Sequence, residues 1–169
     1  MILPVLTYPN PKLYEKSKKI DKFDEELHSF LEDMYETMIE KKGIGLAAIQ
    51  VGQAVRALIV NLPNEEGEQE PSKRLELINP VITKRNGEIL YQEGCLSVPG
   101  FYEDVKRAKE IVVEFQDRHG KKQSIEASEL LAVCIQHEID HLDGHLFIEH
   151  IGYNKRKKFD REFKKRLKK

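Results

Sequence analysis

The chain has 169 residues, 40% hydrophobic and 34% charged, a composition that describes one ordinary globular domain able to bury about two-thirds of its surface. Two Cys exclude a disulfide framework and suit a reducing cytoplasm, and no apolar run approaches the roughly 18 residues of a membrane span. The formal net charge of -1 hides an asymmetry: residues 155–169 hold ten Lys or Arg against two acids, a net +8, leaving residues 1–154 with eighteen against twenty-seven, a net -9.

In chain order, the start, Met-Ile-Leu-Pro-Val-Leu, has neither the basic region nor the cleavage pattern of a signal peptide. Residues 1–20, punctuated by Pro4, Pro9 and Pro11, read as an extended lead-in. Asp24 suits a helix N-cap, with Glu25 and Glu26 well placed in the first turn. Behind it Leu27, Phe30, Leu31, Met34, Tyr35 and Met38 keep the period of an amphipathic helix. Lys41 and Lys42 suit its C-terminus, and Gly43 the left-handed position that ends it.

Gly43-Ile44-Gly45 then offers either a close backbone approach or a tight turn into a strand. Val55–Leu62 reads as a buried strand, and Asn64–Ser72 as a polar loop, the best candidate for mobility. Leu75–Ile82 and Glu88–Tyr91 read as shorter strands. Glu110–Gln116 and Lys122–Glu126 flank Asp117-Arg118-His119-Gly120 as a hairpin, with His119 in solvent. Strands clustered between an early and a late helix predict an α+β fold with antiparallel pairing, in one domain over residues 1–169. From Lys155 onward a cationic helix carries a thin apolar line at Phe159, Phe163 and Leu167, and this basic tail occupies about 153–169.

The chemistry concentrates in Leu130–Leu142, an apolar run free of Gly and Pro. On a helix His137 and His141 stack on one face and can offer two imidazoles to one divalent cation, with Glu138 one step round as general base. Such a catalytic site takes a third protein ligand and keeps a position for water. Downstream, Phe147 stands where the longer HExxHxxGxxH pattern needs its third His, and a Glu some twenty residues on falls in the basic tail. Upstream, Cys95 precedes a Pro-stopped segment and suits an accessible turn. Cys134 shares the face of His137 but lies two helical turns, about 10 Å, from His141, so Cys95 is the better third ligand.

Three segments, GIGLAAIQ at 43–50, EGCLS at 93–97 and HEIDH at 137–141, resemble in order and spacing the motifs of the peptide deformylases. The resemblance covers nearly the whole chain. It implies antiparallel sheets packed around the HExxH helix, and removal of formate from the N-formylmethionine of nascent chains. It makes Cys95, His137 and His141 the metal ligands and Glu138 the acid/base; Gln50 and the Leu96 N–H receive the oxyanion. It implies one divalent ion per chain, physiologically Fe(II), although this donor set also suits zinc, nickel or cobalt. Ile44, Gly45 and Gly94 are implied to hold an extended substrate; Ile44, Leu130, Val133 and Cys134 are candidates for its Met pocket, partly by the resemblance and partly because 130, 133, 134 and 137 share a helix face, with plain core packing the alternative for the Leu and Val. Two positions depart from a common form of the pattern: Tyr102 stands where many members carry a substrate-contacting Arg, and Lys106 replaces a frequent Pro before Arg107.

The rival enzyme is a metallopeptidase cutting internal amides, and the rival of another class a structural metal protein stapled by the same three ligands. The expected setting is a cytoplasmic monomer without membrane contact, whose tail docks on the ribosome near the nascent chain through counterion release from RNA phosphates.

Overall fold

The computed structural model describes residues 1–167; Lys168 and Lys169, the last cations of the tail, lie outside them. Helix α1 spans Glu25–Glu40, and Asp24 caps it, its Oδ1 accepting from the Leu27 N–H at 3.1 Å. Leu27, Leu31, Met34 and Met38, one stripe of the expected face, are all buried. The helix end differs from expectation. Lys42, at φ 60°, takes the left-handed position, with its N–H on Ile39 O and that of Gly43 on Met38 O, the two bonds of a Schellman end. Gly43 instead permits a close approach, since a Cβ there would stand 2.8 Å from Leu96 Cδ1.

Five strands, β1 (Gly45–Ala47), β2 (Ala57–Val60), β3 (Leu75–Asn86), β6 (Glu110–Gln116) and β7 (Lys122–Ser128), form one antiparallel sheet in the order β1-β2-β3-β6-β7. Strands β4 (Ile89–Cys95) and β5 (Val98–Arg107) make a separate two-stranded ribbon. Helix α2 (Glu129–Leu142) follows β7 directly and packs on one face of the sheet, while α1 covers the other. Alternation along β2 serves both layers: Leu58 and Val60 join Ala132, Ile135, Ile139 and Leu142, whereas Ala57 and Ile59 join Leu31, Met34 and Met38. Each large aliphatic chain so buried contributes roughly 1.5–3 kcal/mol. The α+β architecture is the one expected.

A third cluster ties the periphery together, joining Leu13 of the lead-in, Val98, Phe101 and Val105 of β5, Phe147, and Phe159 of α3 (Tyr153–Leu167). The apolar line of the tail is therefore partly internal: Phe159 is buried and Phe163 packs beside it, but Leu167 is 69% exposed. The lead-in is not wholly extended, for Pro11–Tyr14 forms a short 3-10 turn. β3 runs further than read, and β5 was not expected at all. The polar loop after Asn64 is folded by that residue, whose Oδ1 accepts from the N–H groups of Glu66 and Glu68, and Gln69 Nε2 ties it to Gly43 O at 3.0 Å. The hairpin at Asp117–Gly120 is as expected, with His119 exposed.

Candidate active site

One helical turn separates His137 from His141, and their Nε2 atoms lie 3.3 Å apart. β4 ends at Cys95, just before the two-residue turn Leu96-Ser97, and brings its Sγ to 3.3 Å from His141 Nε2. One donor atom from each of Cys95, His137 and His141 lies within 4.8 Å of the others. Cys134 stays outside this group, on the cavity wall, where burial pushes its thiol up to about 12 and keeps it neutral.

Behind the cluster sits a charge array that the sequence reading gave no role. Glu93 accepts from His137 Nδ1 at 2.8 Å, which leaves the His137 Nε2 lone pair facing Cys95 and His141. Arg107 forks onto both Glu93 oxygens at 2.9 Å and reaches Asp140 Oδ2 with its third nitrogen. Glu93 and Arg107 are both buried. Burial disfavours each charge, but the pairing outweighs it: the Glu93 carboxyl is held below its usual range, Asp140 falls to about 2, and the Arg107 guanidinium is raised. Burial and the facing His137 push His141 well below its ordinary value. The β4–β5 register shifts between Glu93 and Cys95, so strand alternation gave no signal for Glu93.

Glu138 is buried beside the cluster, 3.9 Å from His141 Nε2, and burial pushes its carboxyl up to about 7. Its Oε1 has no hydrogen-bond partner among the described residues. The backbone passes hard against it at Gly45, where a Cβ would stand 2.7 Å from Glu138 Oε2, so the close approach is real at that glycine. Gln50, in a short 3-10 turn, points its amide nitrogen toward Cys95 Sγ at 3.5 Å and toward Ser97 Oγ at 3.0 Å.

These groups open into one cavity of about 690 Å³. Ile44, Gly45, Gln50, Gly94, Cys95, Leu96, Leu130, Val133, Cys134, His137 and Glu138 all line it, so every candidate residue but His141 reaches its surface. His141 lies fully buried behind. Tyr102 closes one side, its ring resting on Gly94 where any side chain would collide. Phe147, at the position where a third His was sought, packs its ring 6.0 Å from that of His137.

Residues 2–157 match the sequence profile described as polypeptide deformylase. The chain belongs to that family. Among relatives, it is 55% identical over 165 residues to the peptide deformylase of Wolinella succinogenes, covering 98% of this chain and 97% of that one. It is 52% identical over 168 residues to the peptide deformylase of Helicobacter pylori, covering 99% and 97%. A crystal structure of a peptide deformylase from Legionella pneumophila superposes with a TM-score of 0.89 at 38% identity, covering 99% of this chain and 98% of that one. The peptide deformylase of Ehrlichia chaffeensis in complex with actinonin gives 0.88 at 37% identity, covering 98% and 97%. Deformylation of formylmethionyl nascent chains, by a hydrolase with a catalytic metal ion, is thus the activity, and the peptidase and structural-metal readings fall.

The deformylase residues fit such an ion. Three electron-pair donors converge there, and Glu138 Oε1 is a buried acceptor with no hydrogen-bond partner among the described residues. A thiolate with two imidazoles suits a divalent first-row metal.

Proposed function

We propose that Cys95, His137 and His141 hold the catalytic ion and that Glu138 moves the protons of deformylation. The observation that carries this is the unpartnered Glu138 Oε1, buried at the cavity floor 3.9 Å from His141 Nε2. When bound, a divalent ion supplies Lewis acidity and lowers the pKa of a water toward about 7. Glu138, ionised, would accept the proton of the water that attacks the formyl carbon and would return it to the departing amine. The Gln50 amide and the Leu96 N–H face the oxygen that gains charge, and losing one such donor typically costs about 3 kcal/mol.

The substrate enters as an extended chain. Among the described residues β1 is an edge strand paired with β2 alone, and its other edge offers main-chain groups around Ile44 and Gly45. Gly94 lines the same cavity. Ile44, Leu130, Val133 and Cys134 give the Met side chain an apolar recess, and a neutral Cys134 thiol suits it. Metal-loaded protein is expected to release formate from a formyl-Met dipeptide and to leave the acetylated twin intact. Hydrolysis of the acetylated peptide at an equal rate overturns this reading.

Fe(II) is the physiological ion in this proposal, with zinc, nickel or cobalt able to replace it; metal analysis after anaerobic purification decides. The protein acts as a cytoplasmic monomer, one catalytic domain over its length, and none of its described helices is long and apolar enough to cross a membrane. The exposed cations of α3 dock on ribosomal RNA near the emerging chain. Deleting α3 is a poor test, because Phe159 belongs to the core. Replacing Lys157, Lys158, Lys164 and Lys165 by Gln leaves that core intact. The expected result is normal turnover of a short peptide and weakened, salt-sensitive sedimentation with ribosomes.

A further inference from the structure

A primary amide serves an oxyanion only when its nitrogen, and not its oxygen, faces the charge. In Gln50 the oxygen end is fixed, since Oε1 accepts from the Ala47 N–H at 2.9 Å. Nε2 then carries two hydrogens about 120° apart. One is directed at Ser97 Oγ, 3.0 Å away. The other lies toward Cys95 Sγ at 3.5 Å, an N–H···S contact for which an oxygen bound beside that sulfur would compete. Gln50 and Ser97 are 1% and 0% exposed, so no bulk water substitutes for either partner.

We propose that Ser97 is a positioning residue for deformylation, its hydroxyl aiming the Gln50 amide at the formyl oxygen. This rests on the oxyanion role given to Gln50 above. The alternative acceptor nearby is the Cys95 sulfur, and a thiolate attracts an N–H more strongly than a neutral hydroxyl does. Without Ser97 Oγ the amide has a buried, unsatisfied hydrogen, and turning toward the sulfur satisfies it at the expense of the substrate. Ser97 also offers its own N–H to Cys95 Sγ, at 3.4 Å, so the sulfur has a donor that is not Gln50.

The lead-in fixes the backbone of both residues. Leu6 N–H donates to Gln50 O and Tyr8 N–H to Ser97 O, each at 2.7 Å. The two side chains therefore meet from anchored positions, and the hydroxyl sets the angle of the amide.

The test is a double-mutant cycle on metal-loaded protein, with metal content checked in each variant. Ser97→Ala is expected to lower kcat about 10- to 100-fold, part of the roughly 100- to 1,000-fold lost with an entire oxyanion donor. KM should stay within about twofold, metal content should not change, and Ser97→Thr, which keeps the hydroxyl, should recover most of the rate. In a Gln50→Ala background, Ser97→Ala should cost nothing further. A readout independent of turnover is the side-chain amide pair of Gln50 in a ¹H–¹⁵N spectrum, expected to shift in Ser97→Ala and to return in Ser97→Thr. Unshifted amide signals, losses that multiply across the cycle, or a raised KM with unaltered kcat each overturn the proposal. A slow Gln50→Ala beside a normal Ser97→Ala overturns the Ser97 role alone, whereas a normal Gln50→Ala overturns the oxyanion assignment and this one with it.

Discussion

Helix α2 and the β4–β5 ribbon both bring side chains to the same cluster, but they are held by different forces. α2 lies on a five-stranded sheet and buries Ala132, Ile135, Ile139 and Leu142, so its two imidazoles ride on an element fixed by its own backbone ladder and by apolar packing. The ribbon has only two strands, and a hairpin alone is marginal in water. Its buried Val98, Phe101 and Val105 reach the third core cluster, and its polar groups reach outward to Asp140, His137, Tyr8 and Arg166. Packing makes one half of the site rigid; directional polar bonds make much of the other half so. Damage to the first should appear as lost stability, and damage to the second as lost geometry as well.

The harshest change is to the ribbon's own thiol, the proposed ligand. Cys95→Ala should abolish stoichiometric metal binding, while Cys134→Ala should bind metal and mainly alter preference at the Met pocket; metal analysis showing the reverse would reassign the thiol ligand. Next, Glu138→Gln should keep the ion and lose about a thousandfold in kcat, within the range of acid/base catalysis. Near-normal turnover with bound metal would remove Glu138 from its role. Arg107→Leu leaves Glu93 buried without its fork and should cost about 3–5 kcal/mol in urea unfolding. A loss under about 1 kcal/mol would mean that the ribbon does not depend on that pair. Ile135→Ala in α2 should cost about 2–5 kcal/mol through its cavity yet leave turnover per folded molecule nearly unchanged. The four tail lysines mark the small end, with each Gln replacement expected to change stability by under about 0.5 kcal/mol.

The same contrast explains what could be read from the residues alone. α1 and α2 announce themselves by periodicity, and both exist where expected. β5 does not, because Val98, Phe101, Val105 and Arg107 are its buried residues, a spacing that is not alternate, and its turn, Leu96-Ser97, lacks the usual hairpin residues. Cys95 could be favoured over Cys134 by helix geometry before any coordinates. Glu93 and Arg107 could not be given a role, since a Glu and an Arg on a polar strand look solvated until a third charge, Asp140, comes from another element. Ser97 was equally silent: its importance lies in a bond to Gln50 that only folding creates. Gly43 misled because two bonds closing a helix are satisfied as well by Lys42 in the left-handed region, which left the glycine for Leu96.

The strap from Leu6 to Tyr8 sets an order in time. Its donors are synthesised before the Gln50 and Ser97 carbonyls that receive them, and the Tyr8 ring also leans on Phe159 and Phe163, at 5.3 and 4.9 Å, which come later still. The two hydrogen bonds of the strap can close once Ser97 has emerged, whereas its ring packing must wait until α3 has left the ribosome. The hold on Gln50 and Ser97 is thus built in two stages, a hydrogen-bonded one from segments made early and an apolar one added when Phe159 and Phe163 arrive.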